Sequence, residues 1–342
     1  MIGTEFIKGQ GLGNHLLSYV CTRAIAQRNG CEFGTASQEQ FARNMHNSEG
    51  NLFFDIDLGN EITDDMKVTF KRYDEKEIRL FLGNCSHDMV HGCYVTGVDD
   101  KLTGNIEDNT LIYGNLQAEE YFKDYEDELK GWVRVKPEYD THEYSRENLC
   151  IINIRGGEYA NSQELFIARK YWLKAISKMK SIREDMEFLI VTEDEAAAHR
   201  VLPNIEAHHF DMITDYAIVK NAHYLICSNS SFAVIPVFTG EYLKYAIAPK
   251  YWARFNTSKG YWASEQNIYS KFHYMDKHGR FFSPEECRRE LEEFKRKSKI
   301  FNKTEPATGM MKVFQQIRNK AIKMKFWTYR IIWSLEKRLK RV

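Results

Sequence analysis

Proline is scarce and neither sign of charge prevails. Six prolines in 342 residues, beside 43% hydrophobic residues, exclude a disordered chain and leave apolar material for sizeable cores. Lysine plus arginine and aspartate plus glutamate both number 48, so the chain lacks the general basic excess of a nucleic-acid-binding protein, and no nucleic-acid partner is expected. Cysteine is sparse and odd in number, seven scattered residues that suit free thiols in a reducing compartment better than a disulfide framework. The opening MIGTEFIKGQG enters a short strand and a glycine turn at once, without the charged and apolar stretches of a signal peptide or anchor helix. A cytoplasmic protein is the expectation. No internal repeat is present.

What the chain does have is alternation of strand-like and helix-like segments. Its length exceeds the usual single domain, so the pattern predicts an N-terminal domain over 1–140, a second over 149–285 and a helical extension over 286–342. The polar, acidic stretch 137–148 serves as linker. In the second domain the reading is strand from Cys150 to Arg155, helix from Ser162 to Lys180, strand from Glu187 to Thr192 and helix from Asp194 to Val201. Then come a short strand at His209 and Phe210, helix from Asp215 to Ala222, strand from Tyr224 to Ser228, helix from Phe232 to Thr239 and strand from Tyr245 to Ala248. Such βαβ repetition predicts a parallel sheet with helices on both faces, and a ligand at the strand carboxyl ends. In the first domain a helix is expected from Gly13 to Arg28 and another from Gln117 to Leu129.

Three segments carry chemistry to that edge. In LCIINIRGGEY, Leu149 to Tyr159, an apolar strand runs into Arg155, two glycines and Glu158, which presents a fixed cation and predicts an anion site. In Gly9-Gln10-Gly11-Leu12-Gly13-Asn14 the glycines let backbone amides approach a ligand at a helix N-terminus, and Asn14 offers donors and an acceptor. A dinucleotide fingerprint needs its third glycine where Asn14 stands. Ser228-Asn229-Ser230-Ser231-Phe232 follows an apolar strand and opens a helix, either as a phosphate cradle or as ordinary capping. Glu193 and Asp194 end another strand, where a carboxylate either receives a base or ribose or caps the next helix.

Two metal-like patterns are set aside. Cys85, His87, His91 and Cys93 match no common zinc module and read as a loop rich in Cys and His. Asp55-Ile56-Asp57 is a D-x-D, but it lies in an irregular segment away from the phosphate features. No metal and no cofactor is expected.

Between 310 and 342 the zero net charge breaks down. Ten basic residues face one acid, Glu336, so the tail carries roughly +9. Phe314, Ile317, Ala321, Met324, Trp327, Ile331, Leu335 and Leu339 recur every three or four residues. A basic amphipathic helix with tryptophans suits an anionic membrane surface. The expected location is peripheral, on the inner face of the membrane.

The ordered set GQGLGNHLLSY, YGNLQAEEYF, INIRGGEY, FLIVTEDE, DYAIVKNAHYLICSNSSF and AIAPKYW resembles glycosyltransferase family 11, the α-1,2-fucosyltransferases. The resemblance covers Phe6 to Trp252. It implies a GT-B-like α/β fold of two facing Rossmann-type domains, with GDP-fucose held mainly by the second and the acceptor, a glycan or lipid-linked oligosaccharide, mainly by the first. By position it implies donor contacts from Gly11, Gly13, Asn14, Asn153, Arg155, Asp194, Ser230, Ser231 and Phe232. Arg155 then meets the diphosphate, Asn14 the transferred sugar and Asp194 the guanine. Arg155 and Glu158 are the expected catalytic pair. The chain departs from the family where Asn153 replaces a His, Gly156 an Arg, Glu158 an Asp, and Val234 and Ile235 paired tryptophans. The expected activity is inverting, metal-independent fucosyl transfer to a glycan hydroxyl in surface polysaccharide or glycolipid synthesis. Transfer from another GDP-hexose, or silent glycan or nucleotide binding, are the alternatives.

Overall fold

The structure, a computed structural model, describes residues 1–43, 47–80, 93–162, 165–256, 262, 264–297 and positions 310, 313, 317, 320, 321, 324, 328 and 331 of the tail. The first sheet holds β1 (Ile2–Glu5), β2 (Phe33–Ala36), β3 (Asn60–Ile62), β4 (Lys71–Asp74) and β5 (Thr110–Tyr113) in the order β3-β2-β1-β5-β4. All its neighbours are parallel. The second holds β6 (Leu149–Asn153), β7 (Glu187–Val191), β8 (Ala207–His208), β9 (Tyr224–Cys227), β10 (Tyr245–Pro249), β11 (His273–Met275) and β12 (Phe281–Phe282). Its order is β8-β7-β6-β9-β10-β11-β12, parallel except for the last pair. The first six of these strands have the doubly wound order that reverses direction between β6 and β9, and a ligand crevice opens at such a reversal.

Strand composition follows from burial. Every residue of β6 and β9 is buried, so LCIIN and YLIC carry apolar residues without alternation, as parallel strands covered on both faces do. Helices α1 (Leu12–Arg28), α2 (Glu126–Trp132), α3 (Arg169–Ile182), α4 (Glu195–Val201), α5 (Met212–Lys220), α6 (Val234–Thr239) and α7 (Pro284–Lys297) cover the sheets. One hydrophobic cluster runs through both halves, joining Leu16, Ile112 and Phe122 to Leu225, Val234 and Phe238. Phe122 meets Phe238 edge-on at 5.2 Å. A second cluster, with Ile152, Trp172 and Ile247, fills the other face of the second sheet.

The stretch 137–148 is pinned to the second sheet's helices, because Asp140 accepts from Lys220 Nζ and Asn221 Nδ2, both at 2.8 Å. The extension also begins inside the body: Cys287 and Leu291 of α7 are buried in the shared core, and Lys250 pairs with Glu290.

Several element boundaries differ from the sequence expectation, each for a local reason. No continuous helix runs from Gln117. Leu116 has φ +47° and Ala118 is extended, so two short turns precede α2. The cause is the side-chain network that ties Leu116 and Gln117 in place, described below. Helix α3 starts at Arg169 rather than Ser162, since Ala168 is extended. Helix α5 starts three residues earlier than expected, capped by Asp211 accepting from Thr214 N at 2.7 Å. That shift places Asp215 inside the first turn, turned toward the sheet edge. The cluster of Cys85, His87 and His91 lies outside the described residues.

Candidate functional site

The β6–β9 reversal opens into a cavity of about 390 Å³. From the second domain it is lined by Asn153, Arg155, Glu158, Glu193, Asp215 and the 229–232 loop, and from the first by Gly11, Gly13, Asn14 and Gln117. Of the residues expected at the site, only Asp194 is not on its wall.

Arg155 leaves β6 with its backbone N–H bonded to Ser228 Oγ at 3.2 Å, so the carboxyl ends of β6 and β9 are tied to each other. Its guanidinium pairs with Glu193 at 2.9 Å and Glu158 at 2.8 Å, and sits 5.7 Å from the Tyr159 ring centroid. Burial alone would lower its pKa; Glu193 and Glu158 hold it above the ordinary value. The two arms differ in strength. Glu158 is 61% exposed and water screens its pairing, whereas Glu193 is 13% exposed and also accepts from Gly156 N at 3.1 Å. Asn153 is buried and donates to Val191 O at 3.2 Å, bracing β6 against β7.

Glycine 156 stands where the family resemblance would have a second arginine, and the packing explains it. A Cβ there would lie 2.4 Å from Asp194 Cβ. Asp194 itself caps α4, with Oδ1 accepting from Ala197 N at 2.8 Å and Oδ2 from Gly157 N at 3.2 Å. Each oxygen thus holds a backbone N–H, and the carboxyl is off the cavity wall.

The residue sequence reasoning missed is Asp215. It is 6% exposed, lines the cavity, and is approached by His209 Nδ1 at 3.3 Å and Phe210 N at 3.4 Å. Burial pushes its carboxyl up to about 7, against the lowering effect of His209. The only sequence signal was an acid four residues after the capping Asp211, which also fits a plain first-turn acid.

The first domain meets this wall through α1. Gly11 is its N-cap, with no side-chain cap and no acid in the first turn, so its free N–H groups and positive end face the cavity. A Cβ at Gly13 would lie 2.5 Å from Ser231 C and 2.6 Å from Phe232 N, so this glycine serves a backbone-to-backbone contact between the domains. Ser231 Oγ donates to Asn14 Oδ1 at 2.7 Å across the same contact. Ser230 caps the turn that follows by accepting from Phe232 N at 3.3 Å.

The D-x-D lies elsewhere. Asp55 pairs with Arg134, and Asp57 faces Arg23 at 3.9 Å while accepting from Gly59 N at 2.9 Å. Neither lines the cavity. Among the described residues no group of three or more His, Cys, Asp or Glu side chains is arranged to hold a metal.

No protein-family model and no curated protein sequence matches the chain. Solved structures do resemble it. They include the NodZ α-1,6-fucosyltransferase soaked with GDP-fucose, 13% identical over 70% of this chain and 92% of that one, with a TM-score of 0.39. POFUT1 in complex with GDP-fucose is 10% identical over 72% and 97%, with a TM-score of 0.41. A glycosyl transferase family 9 protein from Veillonella parvula is 10% identical over 73% and 80%, with a TM-score of 0.40. At such identity and overlap none of them assigns a residue or a substrate to this chain.

Proposed function

We propose that the protein is an inverting, metal-independent glycosyltransferase that moves fucose from GDP-fucose to a glycan hydroxyl, as an α-1,2-fucosyltransferase would, in surface polysaccharide or glycolipid synthesis. The observation that supports it is the convergence on one cavity of a paired arginine, the 230–232 turn and the uncapped N-terminus of α1. These groups suit a diphosphate. As the anomeric C–O bond breaks, its electron pair passes to the diphosphate, and Arg155 with the neighbouring amides stabilises that charge. The acceptor hydroxyl attacks the opposite face of the sugar and inverts the anomeric carbon. Its proton leaves late, so a strong base is not required; Glu158, the nearest carboxylate in sequence, either takes it or holds the turn through its pairing with Arg155 at 2.8 Å.

Asp215 supplies the base preference in this reading. Guanine presents two N–H donors on one edge, and a single carboxylate accepts both; adenine offers one donor and one acceptor there, and uracil a lone donor. The experiment is a binding screen with GDP, UDP and dTDP, followed by turnover with a panel of nucleotide sugars. Tighter binding of UDP or dTDP than of GDP would sink the donor assignment. Faster turnover with another GDP-hexose would transfer the reading to that sugar.

Chelation is expected to leave turnover unchanged, because Arg155 and the helix-end amides supply positive potential at the diphosphate. Loss of activity in EDTA, restored by Mn²⁺, would overturn the metal-independent mechanism.

The tail gives a separate expectation. Met310, Val313, Ile317, Met324 and Ile331 are helical and exposed, and no helix among the described residues is long and apolar enough to cross a membrane. We place the tail on the inner, anionic membrane face, where each basic residue close to the surface contributes roughly 1 kcal/mol. Deleting 310–342 should release the protein from anionic vesicles while transfer to a soluble acceptor continues. Flotation at low and high salt checks it; equal recovery of full-length and truncated protein on the vesicles would refute it.

A further inference from the structure

Part of the cavity wall contains no ionisable side chain and is built from amides. Its foundation is Glu75, 4% exposed, which accepts from Leu116 N at 3.0 Å, Tyr121 OH at 2.8 Å and Gln266 Nε2 at 2.6 Å. Gln266 Nε2 also donates to Gly97 O at 2.9 Å. A backbone carbonyl accepts only, so the amide orientation is settled and Gln266 Oε1 is turned to the backbone N–H of Gln117, 3.3 Å away. Gln117 in turn bridges two cavity residues, donating to Asn14 Oδ1 at 3.1 Å and accepting from Asn267 Nδ2 at 2.9 Å. Asn14, Gln117 and Asn267 thus form one hydrogen-bonded row from three distant segments, and all three line the cavity.

The row leaves two polar atoms over. Among the described residues, Asn14 Nδ2 and Asn267 Oδ1 have no protein partner, because Asn14 Oδ1 takes both Gln117 and Ser231, and Asn267 Nδ2 is spent on Gln117 and Tyr269. A donor at one end and an acceptor at the other match hydroxyl groups, which both give and receive hydrogen bonds. The same cavity is lined by Phe232 and Trp252. Tyr251 and Trp252 both adopt left-handed backbone, φ +70° and +51°, and non-glycine residues hold that geometry only where the surroundings enforce it. The preceding Lys250, 1% exposed, pairs with Glu290 and lies 3.3 Å from the Phe282 ring centroid.

We infer that Gln117 and Asn267, with Asn14, form a specificity subsite for an uncharged hexose, its hydroxyls on the amide row and its C–H face toward Phe232 and Trp252. The inference rests on the nucleotide-sugar reading above and deepens it. A sugar bearing a carboxylate is disfavoured, since no cation in the row would compensate its desolvation. The charged groups of the cavity belong to separate hydrogen-bonded sets around Arg155 and Asp215.

The test uses the full-length chain with Gln117→Leu and, as the smaller perturbation, Asn267→Ala. Three quantities are measured: GDP affinity by calorimetry, the thermal midpoint, and kcat/KM for GDP-fucose relative to GDP-mannose. GDP affinity within about threefold of wild type, with the kcat/KM ratio changed tenfold or more, supports the subsite. A ratio within twofold of wild type in a folded variant overturns it. So does a parallel loss of GDP affinity, or failure of both variants to fold, each of which would make the row a structural seam. Wild-type protein that does not bind GDP would instead remove the donor assignment, and this subsite with it.

Discussion

Replacing Arg155 with alanine is expected to cut transfer sharply and to weaken GDP binding. The guanidinium is the cation delivered to the β6–β9 reversal, and removing a charge-assisted bidentate contact costs roughly 2 to 4 kcal/mol in the transition state. That corresponds to a loss of about thirtyfold to a thousandfold in kcat/KM. Arg155→Lys should rescue little, because an ammonium cannot hold Glu193 and a diphosphate in one planar fork. Some fall in thermal midpoint is expected as well, since Glu193, 13% exposed, loses its cation. Near-wild-type turnover in a folded Arg155→Ala protein would remove the anion site from the reading.

Asp215→Asn is the second large effect. Hydrogen bonds to a charged group contribute about 1.5 to 3 kcal/mol, so GDP affinity should fall between tenfold and a hundredfold while affinity for other nucleoside diphosphates changes little. The same carboxylate makes binding depend on pH. In the free protein burial raises its pKa to about 7, and donors from a bound guanine would lower it again. A ligand that depresses an acid's pKa binds best above the free value, so GDP should bind more tightly at pH 8 than at pH 6, and Asp215→Asn should flatten that slope. His209, at 3.3 Å, and Asp211 are the ionisable neighbours, so the His209→Gln variant serves as the control. Calorimetry across this range checks both points; an unchanged pH slope in Asp215→Asn would shift base recognition to another residue.

Much of the second domain was legible because its information is local. Fully buried parallel strands appear as unbroken apolar runs, and INIRGG marks where such a run stops and a cation begins. Helix starts were less legible: Asp211 caps α5 and Asp215 falls within its first turn, yet either acid satisfies the same capping pattern. The expected guanine-facing acid, Asp194, illustrates the limit. From the sequence it and Asp215 are both carboxylates close to strand ends. Packing separates them, since Gly156 and Gly157 lie against Asp194 and draw its carboxylate into the backbone, while α5 carries Asp215 to the cavity.

Sequence alone determined the βαβ alternation, the cationic strand end at Arg155, the glycine-rich start of α1 and the basic tail, because periodicity, turn residues and charge are properties of neighbours along the chain. Only the tertiary structure decided how the two halves share a site. The contact of Gly13 with Ser231, the bond from Ser231 to Asn14 and the row from Glu75 through Gln117 to Asn267 join residues far apart in the chain, 41 positions from Glu75 to Leu116, 150 from Gln117 to Asn267 and 217 from Asn14 to Ser231. No local pattern encodes such pairs. They arise from the closing of one shared core, which brings together polar groups that then have to satisfy one another away from water.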